Sequence, residues 1–268
     1  MNYFISWHGE GVEPGGHREE MIFLKTEKEI LEMQRCNKVV AQVLRELGEM
    51  VEPGITTRDL NDRAEALLGV YGGVPAFKGY RGYPASVCIS INEQIVHGIP
   101  GDRRLKDGDI VSLDFGVKLN GFFGDAAVTV AVGEIGKKAR ELIEVTEQSL
   151  YRGIEQALVG NQLSDICQAI QSWVEGNGFS VVRDFVGHGI GMSLHEEPQI
   201  PNYGIPVPNP RLREGMVLAI EPMVNEGTHE MRILSDGWTA VTGDGKLSAH
   251  FEHTIAITGS GPLILSTL

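Results

Sequence analysis

The stretch IVSLDFGVKLNGFFGDAAVTV, residues 110–130, decides how the rest of the chain is read. Asn120-Gly121 stands between two apolar runs, and Asn-Gly is the pair that a two-residue hairpin turn favours. The runs on either side, Ile110–Phe115 and Ala127–Val132, are strand-like. Asp114 lies among the apolar residues of the first run, and Asp125 follows the turn. If the two runs pair as a hairpin, both carboxylates can face one point.

Two further acids repeat the pattern. Glu221 ends the apolar run in MVLAIEPMV (216–224), and Glu252 lies inside the alternating SAHFEHTIAI (248–257). Taken singly, each acid also reads as a turn cap, a salt-bridge partner or a solvated edge residue. Four carboxylates set in apolar strands are costly unless something compensates their desolvation, and their mutual repulsion raises their pKa values. Divalent cations solve this: about two of them balance four negative charges. Histidines that could add a nitrogen stand in FVGHGIGMSLHEEP (185–198), which holds His188 and His195, and in NEQIVHGIP (92–100), which holds His97. Spacing alone leaves both histidines of the first stretch as ligands, or one, or neither. An oxygen-rich set with one imidazole suits Mn, Fe(II) or Co and tolerates Zn.

Working outward, Thr26 and Glu29 form a capping-box pattern ahead of a helix carrying Ile30, Met33, Val40, Val43, Leu44 and Leu47. A second helix is expected from about Thr57 to Leu68, before Gly72-Gly73. The pattern then repeats, with helices expected over Lys137–Leu158 and Ser164–Val174. Strands are expected at Val87–Ile91 in the first part, and at Val181–Phe185, Met216–Glu221, Trp238–Val241 and His250–Ile257 in the second. Gly54 precedes Asp59-Leu60 by the same five positions that separate Gly160 from Asp165-Ile166. This suggests two copies of a helix-helix-sheet unit with a site at their seam.

Composition narrows the class. A net charge of −13 argues against a protein that grips nucleic-acid phosphates over a broad surface. Three dispersed cysteines without a CxxC disfavour a disulfide framework or a zinc ribbon. No apolar run is long enough for a membrane span, and the N-terminus lacks a signal-peptide core. A cytoplasmic location is the expectation. Residues 1–20 are Gly-rich, polar and unpatterned, and are expected to be a disordered extension. Met21 is then the natural start, and residues 21–268 form one catalytic domain.

Five motifs together resemble the type I methionine aminopeptidases, within the creatinase/aminopeptidase "pita-bread" family. They are SVCISINEQIVHGIP (86–100), LDFGVKLNGFFGD (113–125), GHGIGMSLHEEPQIPNY (187–203), IEPM (220–223) and SDGWTAVTGDGKLSAHFEHT (235–254). The resemblance runs from about Met21 to near the C-terminus. It implies an α+β fold with pseudo-twofold antiparallel sheets and helices packed on the outer face. It implies two divalent ions: Asp114 chelating one, Asp125 and Glu252 bridging, His188 and Glu221 holding the second. His97 and His195 match the family's two outer histidines, which touch substrate. The methionine pocket would include Tyr80, Tyr83, Cys88, His97, Leu194, His195 and Trp238, with Leu194 standing where relatives often carry Phe. His97, His195 and Glu221 would be the catalytic residues: His195 donating to the oxyanion, His97 near the following amide nitrogen, and Glu221 shuttling a proton to the leaving amine.

The implied substrate is the initiator methionine of a nascent polypeptide whose second residue is small. The implied enzyme is a monomer in transient contact with the ribosome, with no stable nucleic-acid or membrane partner. The nearest rival is an Xaa-Pro aminopeptidase or prolidase, built on the same fold and ligands. Those usually carry a further N-terminal domain, and NEQIVHGIP and HFEHT read as the methionine type. A non-catalytic relative using the fold only for binding would be expected to lose ligands, and all five positions keep theirs.

Overall fold

A computed structural model describes residues 21–268. The expected extension at residues 1–20 lies outside the described residues. The chain opens on α1 (Glu27–Met50), held at its start by a complete capping box. The Thr26 hydroxyl accepts from the Glu29 N–H, and the Glu29 carboxylate accepts from the Thr26 N–H. Thr56 and Asp59 cap α2 (Thr57–Tyr71) in the same way. α2 continues three residues past Leu68, until Gly72 at φ 83° ends it. The strands β1 (Val74–Pro75), β2 (Val87–Ile91) and β3 (Gln94–Val96) follow.

Then comes the hairpin, β4 (Ile110–Leu119) and β5 (Phe122–Ala131). Its turn residues Asn120 and Gly121 have φ 52° and 89°, as a primed turn requires. Both strands run longer than the apolar runs, passing through Gly116 and Gly124. These glycines leave space for neighbours: a Cβ on Gly116 would lie 2.8 Å from the Phe77 ring, and one on Gly124 would lie 2.9 Å from the Asn37 amide.

The second half begins with α3 (Lys137–Glu155) and α4 (Leu163–Gly176). Its strands are β6 (Ser180–Val181), β7 (Gly187–Gly189), β8 (Glu196–Ile200), β9 (Val217–Ile220) and β10 (Met223–Asn225), then β11 (Met231–Ile233), β12 (Ala240–Thr242), β13 (Ser248–His250), β14 (Glu252–Thr258) and β15 (Gly261–Ile264). The central sheet runs β1-β4-β5-β14-β9-β7-β8, with β2 on β4 and β15 on β14. Two three-stranded sheets, β13-β10-β6 and β11-β12-β3, stand beside it. Every pairing between these strands is antiparallel.

The repeat seen in the sequence is physical. Gly54 and Gly160, at φ 99° and 95°, donate to the carbonyls of Leu105 and Leu212 at 2.8 and 2.9 Å. Their own carbonyls accept from the side chains of Arg104 and Arg211. Isolated bridges pair Thr56 with Arg104 and Gln162 with Arg211. Asp114 lies ten residues after Arg104, and Glu221 lies ten after Arg211. The two acids therefore hold equivalent places in the two halves.

Strand expectations in the second half needed four corrections. His250–Ile257 is two strands, broken at Phe251, and Met216–Glu221 ends at Ile220, with β10 following Pro222. The Phe251 N–H donates to the Pro222 carbonyl at 3.3 Å. Both chains thus leave the central sheet at one corner, and Glu221 and Glu252 sit on it. Of the expected 181–185 strand only Val181 falls in β6, although the Val182 N–H still donates to the Met223 carbonyl at 2.9 Å. Trp238 precedes its strand on a turn in which Asp236 accepts the Trp238 and Thr239 N–H groups.

Alternation decides which face each strand residue takes. Val111, Leu113, Phe115 and Val117 of β4 pack with α1 and α2, together with Val87 and Ile89 of β2. Leu218, Ile220, Ile255 and Ile257 pack with α3 and α4. The helices cover this outer face. Asp114 and Cys88, of opposite parity, point to the other face, and Asp125 and Glu252 are likewise out of step with the helix-facing residues around them.

Candidate active site

Strand register explains how acids from distant segments meet. Asp114 is the partner of Ala127, and Ala127 is the partner of Glu252, so β4, β5 and β14 carry the two acids level with each other. Asp125 lies two residues before Ala127, on the same face. Across β9, His188 pairs with Ala219, which brings its ring toward the same floor. Donor atoms of Asp125, His188 and Glu252 lie within 4.8 Å of one another. Asp114 and Glu221 line the same cavity, and Glu221 Oε1 stands 3.5 Å from His188 Nε2.

The electrostatics ask for cations. Burial pushes the Asp114 carboxyl up to about 7. Asp125, Glu221 and Glu252 are raised well above the carboxylate range, first by burial and then by one another's charge. Asp114 Oδ1, Asp125 Oδ1 and Glu252 Oε1 are buried with no hydrogen-bond partner among the described residues. A carboxylate oxygen left so is expensive unless a cation takes it. The imidazole fits the same purpose. His188 Nδ1 lies 2.9 Å from the Gly189 carbonyl, and a carbonyl only accepts. The hydrogen is therefore on Nδ1, and Nε2 presents its lone pair to the acids. Burial holds this ring neutral, its pKa pushed down to about 4.

His195 stands against His188, with ring centroids 4.3 Å apart. Its Nδ1 is 2.9 Å from the Tyr80 hydroxyl, and the two rings stack. His195 therefore touches the acid cluster's edge without joining the group of close donors. His97 lies deeper, at φ 59°, edge-on to Phe185 and Trp238. Burial pushes it down to about 4, so it is neutral.

Above the acids is a cavity of about 310 Å³. Tyr80, Tyr83, Cys88, His97, Leu194, His195 and Trp238 all line it. Tyr83 donates to the Gly98 carbonyl at 2.8 Å and meets the Trp238 ring edge-on. Its hydroxyl is thereby satisfied, and its ring is left as apolar wall. Burial holds the Cys88 thiol well above its usual range, so it stays protonated.

The sequence reading missed Phe77, Phe185 and Met223, which complete the wall, and Arg81 at the rim. Phe185 and Met223 could have been found as neighbours of the quoted GHG and IEP motifs. It also missed His250, two positions before Glu252, whose Nε2 lies 4.0 Å from Glu221 Oε2.

The pattern described as Metallopeptidase family M24 matches residues 32–259. A methionine aminopeptidase of Clostridium perfringens is 56% identical over 248 residues, covering 92% of this chain and all of that protein. The crystal structure of a methionine aminopeptidase from Thermotoga maritima superposes with a TM-score of 0.91 at 48% identity, over 92% of this chain and all of that one. A prolidase from Pyrococcus furiosus shares the fold alone: TM-score 0.73, 24% identity, 91% of this chain and 65% of that one. Among the described residues no helix is long and apolar enough to cross a membrane.

Proposed function

The chain belongs to metallopeptidase family M24 and to its methionine aminopeptidases, and on that premise we propose that it removes the N-terminal methionine from polypeptides whose second residue is small. The observation that carries this reading is the set of buried donors of Asp125, His188 and Glu252, with Asp114 and Glu221 beside them, under a cavity of about 310 Å³ walled largely by aromatic and apolar side chains. Asp114, Asp125, His188, Glu221 and Glu252 are the residues that would hold two divalent ions. The oxygen-rich set favours Mn, Fe(II) or Co, and accepts Zn. Bound there, the ions would supply Lewis acidity, lowering the pKa of water and polarising the peptide carbonyl.

The chain's own groups do the rest. Tyr83, Cys88, Trp238 and Leu194 take the unbranched thioether side chain, for which aromatic faces and sulfur are suitable neighbours. His195, oriented through Nδ1 by Tyr80, offers its other nitrogen to the oxyanion that forms at the carbonyl. His97 would stand near the amide nitrogen of the second residue. Glu221 carries the proton toward the leaving amine, alongside its role as ligand. With this reading go a monomer in the cytoplasm and transient contact with the ribosome.

The test is turnover of Met-Ala-Ser by protein stripped with a chelator and resupplied with each ion in turn. Release of methionine with at least one ion is expected, with Ala-Pro-Ala left largely uncut. No release with any ion, or preference for Ala-Pro-Ala, refutes the reading.

A further inference from the structure

His250 is a buried imidazole with no task in the site as assigned above. It is 1% exposed, and neither ring nitrogen has a hydrogen-bond partner among the described residues. Its backbone is pinned on both sides. The His250 N–H donates to Thr129 Oγ1 at 2.9 Å, and that hydroxyl stands 2.8 Å from the His250 carbonyl. Met223, which lines the cavity, is its strand partner. The ring therefore has little freedom to turn away. What it faces is Glu221: Nε2 lies 4.0 Å from Oε2, while the other oxygen, Oε1, lies 3.5 Å from His188 Nε2. The carboxylate is bracketed by two imidazoles, one for each oxygen.

We propose that His250 is a positioning residue for Glu221, its Nε2–H holding Oε2 so that Oε1 is turned to the His188 side, where an ion would be gripped. The proposal rests on the metal reading given above. A separation of 4.0 Å is about 1 Å beyond a hydrogen bond, a gap that a small rotation of the Glu221 side chain closes. The assignment also explains why a polar ring is tolerated at this depth, since a buried N–H with no acceptor is expensive. A group that orients a ligand carboxylate typically carries about a 10–100-fold effect on metal affinity.

The test compares the parent protein with His250→Leu and His250→Gln, each titrated metal-free with Mn²⁺ by calorimetry and melted thermally. His250→Leu should bind Mn²⁺ about 10–100-fold more weakly. His250→Gln, whose amide N–H can reach the same oxygen, should stay within about threefold of the parent. A Leu variant that binds like the parent overturns the proposal, as does a Gln variant that folds yet loses as much affinity as Leu. Side-chain ¹⁵N spectra of the metal-free parent give a second reading that needs no variant. The hydrogen should be on Nε2 of His250, and finding it on Nδ1 overturns the proposal even where the Leu variant does not fold. Absence of Mn²⁺ binding by the parent would strike the metal reading instead, and the tautomer would still decide for His250.

Discussion

Replacing Asp114 by Asn should act in opposite directions with and without ions. Burial moves this carboxyl from 3.8 to about 7 in the metal-free protein. A tenfold change in protonation is worth about 1.4 kcal/mol. Holding the carboxylate charged at pH 8 therefore costs about 4 kcal/mol relative to the unfolded chain, where it ionises freely. The folded pKa lies above the unfolded one. The contribution is thus fully favourable below about pH 3.8 and is lost as pH rises through about 7. At pH 5 only the smaller part of this loss has accrued, because that pH is little above the unfolded pKa. Asn carries no charge and suffers none of this loss. Whatever constant penalty the buried amide brings, the stability of Asp114→Asn relative to the parent should rise by about 3 kcal/mol from pH 5 to pH 8. The nearby histidines titrate in both proteins and largely cancel in the difference. For a chain of this size the rise is about 6–12 °C in Tm. Thermal unfolding of both proteins in chelator at pH 5, 6, 7 and 8 measures it. Saturating Mn²⁺ at pH 8 should shift the difference back toward the parent, since the variant lacks a ligand and gains less from the ion. A parent–variant difference that stays flat with pH, or moves the other way, would refute the claim that burial keeps the metal-free cluster protonated.

Four further outcomes are expected. His188→Ala should lose bound metal together with rate, whereas His195→Ala should keep near-normal metal content and lose about 10²–10³ in kcat; equal metal loss in both, by elemental analysis, would contradict the separate roles. Tyr80→Phe removes the partner of His195 Nδ1, and kcat should fall about threefold to tenfold with KM little changed in a Met-peptide assay. Apparent Mn²⁺ affinity should climb from pH 5.5 to pH 8, because the ion must displace protons from Asp114, raised to about 7, and from the other three carboxyls, raised well above their usual range, while His188, pushed down to about 4, has none to give; calorimetry in buffers of different ionisation heat reads the released protons. A Cβ at Gly187 would collide with the Ala219 carbonyl oxygen, so Gly187→Ala should destabilise by about 1–3 kcal/mol and, by displacing His188, weaken Mn²⁺ binding; an unchanged melting curve would contradict the packing.

Much of the architecture was legible because it is written locally. The capping box at Thr26 and the Asn120-Gly121 turn are short-range signals, and each operates as the residues predict. The repeat around Gly54 and Gly160 was legible for the same reason, since a positive-φ glycine and an acid five places on leave a fixed spacing. Less legible were the places where backbone passes between sheets. Nothing in SAHFEHT announces that Phe251 breaks the strand; the break is set by the Pro222 carbonyl, which is 29 residues away in sequence. His250 went unread because its meaning lies in Glu221, a residue on another strand.

By itself, the sequence determined the helices, the hairpin, the two-copy organisation and the residue types of the site, because propensity, caps and period-two alternation act within a few residues. Its motifs also carried the family. Only the tertiary structure decided which carboxylates converge, which imidazole turns its lone pair to them, and which rings wall the cavity. Those outcomes depend on register across β4, β5, β14 and β9 and on the corner at Pro222 and Phe251. Burial then completes the site: one acid in a strand is ordinary, but four withdrawn from water onto one face repel each other until a cation is held between them.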